Sequence, residues 1–204
     1  VAFSFFREHP MKLFDLAVFA AVAAFLLPAP AFAHVGAGHT SGIGHGILHP
    51  ILGIDHLTAM VAVGVWAAQL GNRAVWSVPL TFVSVMSLGG LLGALGMQLP
   101  MVEPMILSSL LVLGILIAFA VRLPLVATSF IVGLFALFHG HAHGSEMPET
   151  ISGLAYGLGF VLATASLHLL GIGFGLVAQR LRPNALRYAG GLVVAVGLYL
   201  VTGV

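Results

Sequence analysis

Six apolar runs, at about 46–69, 75–97, 104–121, 124–142, 151–178 and 188–203, constrain this chain more than anything else in it. Each is close to the ~20 residues that a helix needs to cross the hydrocarbon core of a bilayer. Charged residues make up 6% of the chain and hydrophobic ones 60%, whereas an average soluble domain is about 25% charged. The fold class implied is all-α: a polytopic membrane helix bundle of six transmembrane helices, with almost no room for a separate soluble domain. The connections are brief, so successive helices are expected to pack as antiparallel neighbours. The fifth run is over-long and is expected to tilt, or to break around Gly171, Gly173 and Gly175. No basic cluster is present to hold nucleic acid. The chain has no cysteine, so disulfides and thiolate metal ligands are excluded.

Ahead of the runs, residues 11–33 (MKLFDLAVFAAVAAFLLPAPAFA) have the form of a cleaved signal peptide. Lys12 supplies the positive start, Leu16 to Leu27 the apolar region, and Ala31-Phe32-Ala33 an A-x-A cleavage site. Residues 1–10 fit no part of that pattern and read as an upstream extension, with Met11 as the expected start. Residues 34–204 then form one six-helix transmembrane domain. Cleavage after Ala33 leaves His34 as the first residue, where an α-amine and an imidazole can chelate a metal ion together. His39 follows in a glycine-rich tail; the alternative for both is a solvated tail with incidental histidines.

Every basic residue after position 33, namely Arg73, Arg122, Arg180, Arg182 and Arg187, falls in alternate loops. The other loops carry Glu103, Glu146 and Glu149. By the positive-inside rule the arginine loops face the cytoplasm, so the mature N-terminus and the C-terminus lie on the outer side. Gly89/Gly93, Gly140/Gly144, Gly153/Gly157 and Gly171/Gly175 have the spacing that lets helix backbones approach closely. They serve a compact bundle or a homo-oligomer contact.

Two stretches carry chemistry. The first is HGILHPILGIDHLTAM, residues 45–60. At 100° per residue His45, His49 and His56 point within about 40° of one another, with Met60 about 20° further round and Asp55 beside them. Ionisable groups at membrane depth mark a pathway, a relay or a metal site. Three imidazoles, a carboxylate and a thioether suit a borderline ion such as Ni, Co, Zn or Cu. On a straight helix His49 lies about 6 Å below His45, and His56 about 10 Å below His49, which suits successive sites better than one ion. Pro50 removes the bond to the Gly46 carbonyl and is expected to bend His45 and His49 towards a common point. Of Asp55 and His56, one is expected to bind while the other orients a ligand. The opposing reading is that these groups bond only one another and lock the helices together.

The second stretch is FHGHAHGSEMP, residues 138–148. His139 and His143 share a face at i,i+4, His141 points the other way, and Glu146 returns to the first face if the helix continues. Its depth matches the mouth of the first run, so a shared mouth site is expected; the alternative is a histidine-rich loop that touches metal weakly. His168 stands alone in the fifth run, and a packing role and a ligand role are both open to it. Met60, Met86, Met97, Met101, Met105 and Met147 are too scattered to outline a thioether path.

The motifs HPILGIDH (His49–His56) and FHGHAHGSE (Phe138–Glu146), together with the signal, the His34 terminus and six spans, resemble the HupE/UreJ family of membrane proteins. The resemblance implies a nickel permease of the bacterial cytoplasmic (inner) membrane, with cobalt a second cargo in some members, supplying hydrogenase or urease maturation. It implies Ni2+ as substrate, no prosthetic group and no enzymatic activity. Carried onto this chain, the family's motif residues are His49, Asp55, His56, His139, His143 and Glu146. The chain lacks the P-loop pattern GxxxxGK[ST], so transport is expected to need no nucleotide. Two rivals come from other classes. An intramembrane zinc-dependent hydrolase needs its ligands to converge with one position open for water. A bis-histidine haem protein needs paired axial ligands.

Overall fold

The computed structural model describes residues 42–147, 152–182 and 184–202. The upstream extension, the signal peptide, His34, His39 and Glu149 lie outside the described residues. Seven helices follow one another: α1 (Gly42–Leu52), α2 (Ile54–Leu70), α3 (Ala74–Ala94), α4 (Val102–Ala118), α5 (Leu125–Ser145), α6 (Gly153–Leu181) and α7 (Ala185–Thr202). By length and apolarity α3, α5, α6 and α7 can each cross a membrane, and α1 with α2 makes a fifth candidate if the pair is one span. α4 is apolar but has 17 residues.

The first apolar run is not the continuous helix expected from its period. It breaks at Gly53, and α1 and α2 meet at a bend of 83°. Pro50 has no N–H to give the Gly46 carbonyl, and Gly53 carries the largest entropic cost of any residue in a helix. With both in one turn, the helix stops; Gly53 takes an extended conformation at φ −82°, ψ 112° and starts α2 afresh. The over-long fifth run behaves in the opposite way. α6 is one continuous helix of 29 residues, roughly 43 Å long at 1.5 Å per residue. Gly159, Gly171 and Gly175 are used for packing, whereas Gly173 faces open space.

That packing is backbone against backbone. A Cβ on Gly140 would collide with the Met86 carbonyl, and one on Gly89 with the Leu137 carbonyl, so α3 and α5 touch through their main chains. Gly64 and Gly171 do the same for α2 and α6, meeting the carbonyls of His168 and Val61. Gly89 meets Leu137 and Gly93 meets His141, while Gly171 meets Val61 and Gly175 meets Val65. Residue numbers rise together, so each pair is parallel, not the antiparallel packing of successive helices expected from the brief connections; α4 and α7, matched at Gly114 with Val194 and Gly197 with Leu110, run antiparallel. Gly157 differs from the other members of its expected class, since nothing approaches the place of its Cβ.

α2, α4 and α6 run one way and α3, α5 and α7 the other, with α1 set at 83° to α2. Glu103 and Glu146 therefore sit at one end of the bundle, which we call the mouth. Arg73, Arg122, Arg180, Arg182 and Arg187 sit at the other. At the arginine end three side chains tie helices to neighbouring carbonyls: Trp66 Nε1 to Val121 (3.4 Å), Gln69 Nε2 to Ile117 (3.1 Å) and Gln179 Nε2 to Ala68 (3.1 Å).

The outer surface is apolar, and the buried polar groups lie inside a largely apolar core. Val126 is 83% exposed and Leu154 76%, whereas Ser109, Thr128, His139, His143, Thr164 and His168 are buried. A bundle whose solvent is hydrocarbon sorts its residues this way.

Gly140→Ala is expected to destabilise the purified protein by about 1–3 kcal/mol, the usual cost of overpacking, and Gly157→Ala to leave it unchanged. Thermal unfolding followed by size-exclusion of detergent-solubilised protein checks this, and equal midpoints for the two variants would refute the α3–α5 contact.

Candidate metal centre

The break at Gly53 decides which histidines meet. α1 lies against the start of α6, where a Cβ on Gly46 would collide with the Tyr156 carbonyl and one on Gly159 with the Ile43 carbonyl. This carries His49 over the C-terminal end of α5, while α2 turns down beside it carrying His56. Both rings converge on His143: the His49 ring centroid lies 4.7 Å from it and that of His56 4.1 Å.

The group nearest the mouth is His49, His143 and Glu146. One ligand atom from each lies within 4.8 Å of the others, and His49 Nε2 is 3.1 Å from Glu146 Oε2. α5 ends at Ser145, so Glu146 follows the last turn instead of extending it, and its N–H closes on the Ala142 carbonyl. The His49 hydrogen bond is the main cause holding the Glu146 carboxyl below its ordinary pKa. Glu146 is thus ionised throughout the range in which imidazoles titrate. The set is mixed imidazole and carboxylate, the chemistry of Ni, Co and Zn sites.

Beneath it lie His56 and His139, whose ring centroids are 5.0 Å apart. Each has one nitrogen committed. His56 Nδ1 is 2.8 Å from Asp55 Oδ1, and His139 Nδ1–H donates to the Phe135 carbonyl at 3.0 Å. When Nδ1 carries the proton, the lone pair is on Nε2, the arrangement by which neighbours set a metal-binding histidine's tautomer and aim. Nε2 of both rings is buried without a hydrogen-bond partner, as are both nitrogens of His143. Unpartnered buried polar atoms are uncommon in native proteins, and here four of them gather in one place.

Asp55 faces its neighbour His56 and also accepts the His56 backbone N–H at 2.8 Å. It is engaged with His56 and is not a member of the mouth group. The glycine of HPILGIDH has a reason to be there: a Cβ on Gly53 would sit 2.9 Å from Asp55 Oδ1 and 3.3 Å from His56 Nδ1, crowding that pair.

The remaining histidines separate. His45 is half-buried on α1, and the mouth group found among the described residues does not include it. The expected bend that would join His45 to His49 is therefore replaced by one that joins His49 to α5. His141 points away, as its spacing predicts, and its Nε2–H donates to the Met97 carbonyl at 2.6 Å, fixing the turn after α3. The aromatic walls escaped the sequence reading. Phe160 lies 4.0 Å from the His143 ring, Tyr156 6.0 Å from His49, and Phe82 sits between His139 (5.8 Å) and His168 (5.0 Å). They occur in ordinary apolar runs, and nothing in their spacing distinguishes them from lipid-facing residues.

A family model described as HupE / UreJ protein matches residues 22–200 of this chain. Protein HupE of Rhizobium leguminosarum bv. viciae is 47% identical over 89% of this chain and 95% of its own length. No solved structure matches. A multi-pass helical chain with both histidine motifs, matched over nearly its whole length, belongs to the HupE/UreJ family.

Proposed function

We propose that this protein is a permease that takes up Ni2+, and in second place Co2+, across the bacterial cytoplasmic membrane for hydrogenase or urease maturation. The observation that carries the reading is the mouth group of His49, His143 and Glu146, continued inward by His56 and His139 with Nε2 of each unpartnered. HupE/UreJ is a transporter family, which favours transport over an intramembrane zinc hydrolase. In this reading the chain crosses the membrane six times after a cleaved signal peptide, α1 and α2 together making the first crossing. Both mature termini are periplasmic, the mouth faces the periplasm, and the arginine end faces the cytoplasm, as the positive-inside rule requires.

The route follows from ligand chemistry. The His34/His39 tail collects the hydrated ion. Glu146, His49 and His143 replace part of its water shell, and His56 and His139 receive it one turn further in. Asp55 keeps the His56 lone pair aimed at the ion. The cargo leaves past the recess lined by Arg73, Asn72 and Arg122.

His143→Ala is expected to lower radiolabelled nickel uptake by at least about tenfold, and His45→Ala to leave it near the wild-type level. Unchanged uptake in His143→Ala, at equal protein in the membrane, would sink the assignment. Asp55→Ala is expected to raise the half-saturating nickel concentration by about 10–100-fold, the usual effect of removing a ligand's orienting partner. Asp55→Asn should recover part of the loss, since its side-chain oxygen still accepts from His56. If Ala and Asn behave alike, charge and not orientation is what Asp55 supplies. Because protons compete with metal for neutral imidazoles, uptake is expected to fall as external pH is lowered; initial rates measured at fixed membrane potential give the profile.

A further inference from the structure

One turn beyond the histidine cluster, away from the mouth, lies a second set of buried groups on three helices. Met60 is one turn past His56 on α2, Thr164 one turn past Phe160 on α6, and Met86 projects from α3; all three are buried. The Thr164 hydroxyl is 3.2 Å from Met60 Sδ and 3.6 Å from Met86 Sδ. The two sulfurs are thereby held around one oxygen, although their positions are 26 residues apart in sequence. His168 follows one further turn along α6, 1% exposed, with neither ring nitrogen hydrogen-bonded.

This arrangement is unusual for a helical threonine. Ser77, Ser87, Ser108, Ser166 and Thr202 each turn back to the carbonyl four residues earlier, the ordinary resting place of such a hydroxyl. Thr164 leaves that acceptor for two thioethers, which are weak acceptors. A buried hydroxyl so poorly served and a buried imidazole not served at all lie on one face of α6, and each costs free energy to keep there. Met60, Met86, Thr164 and His168 offer two thioether sulfurs, a hydroxyl oxygen and an imidazole nitrogen, with no carboxylate among them.

We propose that these four residues form an inner way station for the metal cargo, reached after His56 and His139, whose soft donors admit Ni2+ and reject hard ions such as Mg2+. The proposal rests on the transport reading above. Oxygen-rich sites suit magnesium and manganese, whereas thioether and imidazole donors favour later transition metals. The mouth group, with its carboxylate, discriminates weakly, and selectivity is imposed further in.

Nickel uptake by cells expressing the full chain tests this, with wild type, His143→Ala, His168→Gln and the double variant Met60→Leu/Met86→Leu compared at matched protein levels. Met to Leu nearly conserves volume, so the double variant keeps its packing. The expected result is at least about a tenfold lower maximal rate in the double variant and in His168→Gln, with half-saturation unchanged. A wild type that carries no nickel overturns the transport reading itself. A wild type that does, with His143→Ala impaired and both inner variants at wild-type rates, overturns the way station alone. X-ray absorption at the nickel edge of purified full-length protein, loaded with two equivalents of nickel, gives a readout independent of transport. A sulfur shell in wild type that disappears in Met60→Leu/Met86→Leu supports the site, and a wild-type spectrum with no sulfur shell overturns it.

Discussion

The bend at Gly53 is the feature on which the rest of the site depends. On an unbroken helix His49 and His56 would stand about 10 Å apart along one axis, and His143 could meet only one of them. With the axis turned by 83°, both rings reach His143 from two directions. A broken helix in hydrocarbon leaves main-chain groups unsatisfied, at several kcal/mol each, unless protein or a polar cavity covers them. Here the break is covered. α1 lies on α6 through Gly46 and Gly159, the Leu57 N–H returns to the Gly53 carbonyl at 2.8 Å, and the polar cluster occupies the inside of the corner. The same glycines that shorten the helix separation make the interruption tolerable.

A set of histidines serving only to lock helices would use its nitrogens on one another or on carbonyls. The structure shows such use at single positions: His141 on the Met97 carbonyl and Nδ1 of His139 on that of Phe135. In the cluster the pattern changes, because Nδ1 of His56 and His139 is held while Nε2 of each is left. An unmade buried hydrogen bond costs about 1–3 kcal/mol, so several together are a large concession for a bundle with few polar contacts. Groups kept in that state are the ones able to accept a ligand without first breaking a bond of their own.

The bundle was legible in the sequence to the extent that single helices are. Runs near 20 apolar residues and the i,i+4 relation of His139 to His143 are local signals, and five of the six runs each coincide with one helix, while the first is split into two and the third gives a helix of only 17 residues. The geometry of the site was less legible because it depends on a single discontinuity. The reading of His45, His49 and His56 as one stripe assumed a constant 100° per residue through Pro50 and Gly53, and the break resets that phase. His56 is thereby re-aimed relative to His49, His45 stays a turn back along α1 outside the mouth group, and Glu146, uncertain from spacing alone, is delivered by the end of α5. Met60 and Met86 looked scattered because they are far apart in the chain. Their meeting at Thr164 follows from α2 and α3 both packing on α6, and helix pairing of that kind leaves no periodic trace in any one helix.

An ion that crosses a low-dielectric bundle must be held well enough to shed water and loosely enough to depart. The donors along this chain are graded in that sense. Glu146, the one carboxylate of the mouth group, would in the proposed route meet the ion while it is still hydrated. Asp55, the next carboxylate inward, is bonded twice to His56, and in the proposed route it would act on the ion through that ring. Beyond it the donors are neutral, and the five arginines lie at the far end. Placing a second free carboxylate deep in the bundle would trap a divalent ion, because opposite charges attract far more strongly there than in water. In the proposed route, engaging Asp55 with His56 would avoid that trap while keeping the histidine aligned, so that one hydrogen-bonded pair would set both the aim of the ligand and the weakness that lets the cargo move on.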